Sequence, residues 1–297
     1  MRGCLELEIQ ILLNGLLQGM FFGAFGVAFS LVYRTTKVFF LALGGISALA
    51  PYLVLTGIAI GMPGWGAAVS AIGVAACLGV LMDESIHWPF VCKRAPSEVH
   101  LLASLGAYLV IVQCIALVWG NETHVLRSGM DQTWAFAGIT LAQAQLLGPA
   151  LIFAATVALF VWLNCGGRGL ELRALADNPI LVALLGRDIR ALRRWVFGLS
   201  AALAGAVALA QAWDVGFDPH GGLKAVLLGM VAMIIGGTGS FIGPFVGGVL
   251  LGVLRTQVVW FGSARWEEAV TFALLALFLF FRPQGIFSRQ ARLEEST

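Results

Sequence analysis

The chain has 297 residues, of which 59% are hydrophobic and 11% charged, with a net charge of +2 and a mean hydropathy of +0.90. Soluble domains carry roughly a quarter charged residues, so no water-soluble core absorbs this much apolar surface and the composition specifies a polytopic helical membrane protein. Its lysines are Lys37, Lys93 and Lys224 alone, which leaves nucleic-acid binding without electrostatic support.

A membrane-crossing helix needs about 20 apolar residues. Apolar runs occur at 9–33, 38–60, 64–82, 99–119, 142–164, 195–213, 222–236, 241–260 and 266–281. They predict an all-α chain with about 8–10 transmembrane helices, some of them broken. The run 222–236 is short and reads either as a crossing or as a half-span. Glu6 and Glu8 stand where a cleavable signal carries basic residues, so the first run reads as a retained helix. Residues 1–297 read as a single transmembrane domain.

The loops set the orientation. Arg34 and Lys37, Lys93 and Arg94, the 166–194 loop, and a tail with Arg282, Arg289 and Arg292 are basic. The 120–141 loop has Arg127 alone as a basic residue. The positive-inside rule places 34–37, 83–98, 166–194 and the C-terminus in the cytoplasm, and the N-terminus and 120–141 outside.

Polar residues at membrane depth are costly and are functional candidates. Asn14 and Gln18 lie one helical turn apart on the first run, where they either bond a passing solute or lock a neighbouring helix. Gln113 and Gln257 read as packing residues. Arg255 lies inside 241–260 and is expected to snorkel outward, since that run ends near Trp260. Asp214, Asp218 and His220, between spans on the outer side, read either as a solvated loop or as residues that meet a delivering protein or guard the pore mouth. The histidines, His87, His100, His124 and His220, show no ligand spacing and read as loop or interface residues. Cys4, Cys77, Cys92, Cys114 and Cys165 are scattered and read as small buried hydrophobes.

No helix runs smoothly through GGTGSFIGP at 236–244. Gly236, Gly237, Gly239 and Gly243 are therefore read as a break between two helical halves, tolerated only where buried or lining a cavity. Gly248 and Gly252 then form a close-packing face on the second half. Pro51, after Gly44 and Gly45, marks a milder kink.

The 166–194 loop is a charged amphipathic island. It holds Arg168, Arg173, Arg187, Arg190, Arg193 and Arg194, with an apolar stripe of Ile180, Leu181, Leu184 and Leu185. Asp177 or Asn178 can cap a helix that Pro179 begins and Gly186 ends. A stripe of this kind either docks in a groove of another protein or lies on lipid.

No Walker A motif, G-x-S-x-G or H-E-x-x-H is present. GGTGSFIG is not a dinucleotide fingerprint, because its third glycine falls one residue late. The chain is therefore read as no enzyme: no catalytic residues, no metal ligands and no cofactor of its own.

Four segments together resemble the permease subunits of branched-chain amino acid ABC importers, a group that includes urea and amide permeases. ILLNGLLQG at 11–19 is similar to that family's opening helix. GLELRA at 169–174 with LLG at 184–186 is similar to its cytoplasmic loop. IIGGTGS at 234–240, with Gly243, Pro244, Gly247 and Gly248, is similar to its glycine segment. LFLFFRPQGIF at 277–287 is similar to its closing motif.

The resemblance implies a multi-pass permease domain in the bacterial inner membrane. It implies ABC ATPase subunits that bind the ATP, a second permease subunit (the same or related) and an extracytoplasmic solute-binding protein. Within the 166–194 coupling loop, it assigns ATPase coupling to Gly169, Arg173, Ala174, Leu184, Leu185 and Gly186. One departure stands out: where relatives carry polar Asn, His and Glu at the start of the second span, this chain has Phe40, Leu43 and Gly45. That implies a drier pathway, a different solute or a polar side supplied by a partner. A stand-alone secondary transporter or channel is the alternative to the importer.

Overall fold

Three glycines spaced one turn apart set a close helix pair at the centre of the fold. Gly15, Gly19 and Gly23 lie on α1 (Arg2–Thr36) and face α11 (Gly243–Phe261), which runs antiparallel to it. A side chain on Gly19 would begin 2.7 Å from the Val249 Cα, and one on Gly15 2.8 Å from the Val253 Cα. From the other side, Gly248 sits on Gly23 and Gly252 on Gly19, as the expected packing face of the second half. Without side chains between them the two backbones meet directly, which is how helices gain contact in lipid, where no hydrophobic effect drives them together.

In this computed structural model the described residues are 2–126, 133–136, 139–237, 239–282 and 285–287. Arg127, Thr238, Arg289 and Arg292, named above, lie outside them. After α1 come α2 (Ala42–Ala59), α3 (Gly64–Met82), α4 (Trp88–Cys92) and α5 (Ser97–Trp119). A short antiparallel hairpin follows, β1 (Thr133–Phe136) paired with β2 (Ile139–Ala142). Then come α6 (Gln143–Cys165), α7 (Gly167–Asp177), α8 (Pro179–Leu184), α9 (Ile189–Asp214), α10 (Gly221–Gly236), α11 and α12 (Glu267–Phe281). The described residues are thus helical apart from short connections and the hairpin, which the apolar runs do not predict.

Among the described residues, seven helical segments are long and apolar enough to cross a membrane: Leu7–Thr36, Ala42–Ala59, Gly64–Cys92, Ser97–Trp119, Gln145–Cys165, Ile189–Asp214 and Gly243–Trp260. With 16 and 15 residues, α10 and α12 are shorter. At 1.5 Å per residue they reach about 24 and 22 Å, less than the ~30 Å hydrocarbon layer.

The third span differs from expectation. Instead of ending in a cytoplasmic loop at 83, it continues through a π-helical turn, Asp83–His87, into α4. The loop shrinks to 93–96, and Asp83 and His87 are buried.

The helices sort into an inner and an outer set. The spans in α1 and α2 are 72% and 67% buried, whereas those in α3–α4 and α6 are 22%. Phe25, Phe29, Phe40, Leu43, Ile46 and Phe197 fill the core. Outer residues such as Leu102, Val110, Leu117 and Leu151 remain uncovered, as befits faces solvated by lipid tails. Cys77, Cys92, Cys114 and Cys165 are also exposed rather than buried, because they lie on these outward faces.

Tryptophans mark two levels. Trp88, Trp162 and Trp195 lie at the end that carries the arginines of α7–α9. Trp65, Trp119, Trp213, Trp260 and Trp266 lie at the helix ends opposite. Such paired girdles sit at the two membrane–water boundaries.

Candidate functional site

The arginine-rich end is built by a sharp reversal after α6. Gly169 makes it possible: a Cβ there would fall 2.5 Å from the Leu163 carbonyl oxygen and 2.6 Å from that of Trp162. With Gly169 buried against α6, α7 turns Leu172 and Leu175 inward. Arg173 then folds back, its Nη1 donating to Asn164 Oδ1 at 3.0 Å. Ala174 is exposed on the same helix. Asp177 at its end pairs with Arg34 of α1 at 3.4 Å.

Asn178 starts α8, its Oδ1 accepting from the amides of Ile180 (3.0 Å) and Leu181 (3.2 Å), with Pro179 in the first helical position. These are the groups a helix start leaves unpaired. Gly186 takes φ +75° and the Arg187 amide bonds back to the Val182 carbonyl, closing the helix. Val182 is buried and anchors this short helix. Ile180 and Leu181 are exposed, and Leu184 and Leu185 are each 78% exposed. Asp188 then caps α9 by accepting from the Arg190 and Ala191 amides.

The glycine break lies beside this assembly. At Gly237, φ is +99° and α10 stops. The backbones of Gly236 and Gly243 abut, so a Cβ on Gly243 would meet the Gly236 carbonyl oxygen at 2.5 Å. The chain's last described residues close the break: the amides of Ile286 and Phe287 donate to the carbonyls of Ile235 and Gly236, both at 3.0 Å. A helix end needs acceptors satisfied, and here the tail does it. Phe241 packs under the Arg34 guanidinium, 4.3 Å from its ring centre.

A cavity of about 490 Å³ joins these parts, lined among others by Arg34, Asn164, Arg173, Gly239, Phe241 and Phe287. The structure therefore brings Arg173 and Gly239 to one cavity, with Gly236, Gly237 and Gly243 in the same break just behind its wall. It separates them from Leu184 and Leu185, which face outward from the bundle, and from the polar pair of α1. Asn14 borders another cavity, of about 260 Å³, with Gln10, Thr256 and Trp260 near the opposite end. Gln18 is exposed, so the two share a helix face but not a site.

Arg255 does not snorkel. It is buried, its Nε and Nη2 donating to Glu267 Oε1 at 3.0 and 2.6 Å and its Nη1 to Thr271 Oγ1 at 3.2 Å. The expectation failed because Glu267, at the start of α12, supplies a partner closer than the water interface. Asp218 accepts from the His220 and Gly221 amides and so starts α10.

One polar cluster was not foreseen. Arg193 donates through Nε to Asp83 Oδ2 at 3.3 Å and through Nη2 to Oδ1, both side chains almost fully buried. Beside them the rings of His87 and His100 stack, with Nδ1 atoms 3.3 Å apart. One of those nitrogens must carry the shared proton and the other accept it. Phe40 meets His87 edge-on, and Gly45 is packed by the Ile111 side chain. The apolar positions 40, 43 and 45 thus lie in tight packing, and the buried charge comes from the π-helical turn after α3 and from α9 instead.

Residues 11–279 match the family described as branched-chain amino acid transport system, permease component. The chain is similar to the high-affinity branched-chain amino acid transport system permease protein LivH of Escherichia coli (strain K12), 25% identical over 95% of this chain and 96% of that relative. It is similar to the corresponding permease protein BraD of Pseudomonas aeruginosa, 23% identical over 95% and 96%. The autoinducer 2 import system permease protein LsrC of an Enterobacter strain is 26% identical over 82% of this chain and 69% of its own length. No solved structure matches the chain significantly.

Proposed function

The chain belongs to the permease-component family of branched-chain amino acid transport systems, a multi-pass membrane family, and from that premise we propose that it forms half of the pathway of an ATP-driven importer in the plasma membrane. The arginine-rich end faces the cytoplasm, as the positive-inside rule requires, and the hairpin end faces outside. ATP is bound by two partner ATPase subunits, and the chain carries out no chemical step. A second permease subunit completes the pathway, and a binding protein delivers solute to the outer end.

The observation that carries this reading is α8. A six-residue helix, capped at one end by Asn178 and closed at the other by Gly186, holds Ile180, Leu181 and Leu184 away from its own protein, and its C-cap Leu185 extends that ridge. An apolar ridge with flanking arginines fits a groove on a partner. Closure of the ATPases would then move α8, α7 and the Arg173 cavity as one piece, and the break at Gly237 would yield. For ATP to drive transport it must bind the two states with different affinity.

Branched-chain or related hydrophobic amino acids, or a small amide, are the proposed solutes. The likeness to an autoinducer 2 permease, together with the apolar Phe40, Leu43 and Gly45, favours a second reading in which the solute is not an amino acid. Uptake of labelled leucine into proteoliposomes holding both permeases, the ATPases and the binding protein separates the two. ATP-dependent accumulation supports the first reading; an intact ATPase with no accumulation favours the second.

A further inference from the structure

A groove of about 710 Å³ opens on the outer surface between α3 and α9, away from the cavity described above. Its walls are Ala76, Cys77 and Val80 of α3 and Gly198, Leu199 and Ala202 of α9, small or apolar throughout. Its mouth, at the arginine-rich end, is formed by Arg194 and Trp195. Arg168 lies over the same tryptophan, 4.9 Å from its ring centre. Arg190 and Arg194 both reach the carboxylate of Glu84. The other acids nearby are occupied: Asp83 by Arg193, Glu171 by Arg187, Asp177 by Arg34, and Asp188 by the backbone of α9. Arg194 and Arg168 thus meet at Trp195 on the groove mouth, and Arg190, whose guanidinium stands over the Trp88 ring at 5.4 Å, shares Glu84 with Arg194, so three guanidinium groups stand near one carboxylate at the level of a tryptophan girdle.

We infer that this groove is a binding site for one anionic glycerophospholipid. An acyl chain lies along the apolar walls, and the phosphate sits among Arg168, Arg190 and Arg194. Guanidinium groups take a phosphate through paired hydrogen bonds, and basic clusters between membrane helices select anionic head groups. A helix of a second copy would fill the apolar part but leave the arginines desolvated without a partner, which is costly. The inference is independent of the solute and of the ATPase.

The test uses the purified full chain and two lipids with identical acyl chains, phosphatidylglycerol and phosphatidylcholine. Native mass spectrometry reads the lipid retained, and melting temperature reads stabilisation. Phosphatidylglycerol is expected to be retained preferentially and to raise the melting temperature, with the gain falling as salt is added. Arg168→Gln with Arg194→Gln should abolish the preference. Ala202→Phe, which fills the groove and leaves the arginines in place, should abolish retention of either lipid. Arg265→Gln, at the opposite end, should change neither. Equal retention of the two lipids by the native chain overturns the inference, and needs no variant to fold. So does a preference that survives Ala202→Phe, which would place the lipid on the surface alone. An oxidative Cys77–Cys77 cross-link between copies, with the other cysteines replaced by alanine, would put a second copy in the groove and also overturn it.

Discussion

Arg193 on the first turns of α9 and Asp83 in the π-helical turn after α3 form a two-point ion pair in the interior, each less than a tenth exposed. The pair ties the helix that leaves the coupling segment to an outer span. π-Helical turns of this kind are frequent at functional sites. Removing one partner strands a buried charge, at a cost of about 3–5 kcal/mol. Asp83→Ala is therefore expected to lower unfolding stability in mixed micelles by that amount. Asp83→Leu combined with Arg193→Met should regain most of it, because two apolar groups need no partner. Equal loss in the single and double variants would contradict this account of the pair.

The contact of α1 with α11 predicts a sharp contrast between glycines. Gly19→Leu drives a side chain into the Val249 backbone, which cannot move aside as a flexible side chain can. Overpacking ordinarily costs about 1–3 kcal/mol, and a backbone obstacle raises that. Gly73→Leu on α3 meets nothing within 4 Å and should be tolerated. Size-exclusion profiles after stepwise heating distinguish the two, and similar profiles would contradict the packing.

Asn178 is expected to matter for transport more than for folding. Loss of an N-cap costs about 1 kcal/mol, here concentrated in the six residues of α8. Asn178→Ala should lower ATP-driven uptake while leaving the purified protein monodisperse. Asn178→Asp, which can still cap, should retain most activity. Uptake unchanged in Asn178→Ala would remove the role assigned to this cap.

Gly237 has a backbone conformation that costs other residues about 1–3 kcal/mol. Gly237→Leu together with Gly239→Leu should slow transport more than it lowers the melting temperature, if this break is the yielding element. Uptake at the native rate in that variant would mean that the helices move as rigid bodies elsewhere.

Signals local in sequence were legible. The Asn178–Pro179 start, the Gly186 end, the interruption at 236–244 and the packing face of Gly248 and Gly252 each depend on residues within a few positions of one another. What was not legible depends on distant partners. Arg255 looked isolated because Glu267 belongs to the next helix. His87 and His100 showed no ligand spacing, yet the turn at 93–96 stacks them. Asp83 read as a loop residue because nothing near it in sequence announces Arg193 as its counter-charge. Among the arginines of 187–194, one faces inward and the rest outward, a pattern that helical spacing alone could have suggested. The meeting of Arg173 with the glycine break required the fold of α6 and α7 over the end of α1.

The central claim is that the outward face of α8 is the ATPase contact, and co-purification tests it most directly. The chain is expressed in membranes with its ATPase subunits, isolated in mild detergent, and compared with Leu184→Asp and with Leu184→Asp plus Leu185→Asp. Both leucines are exposed, so neither change should disturb the fold. The account predicts that ATPase is recovered with the native chain and lost with the variants, while the variants remain monodisperse. Equal recovery of ATPase with the double variant would contradict it.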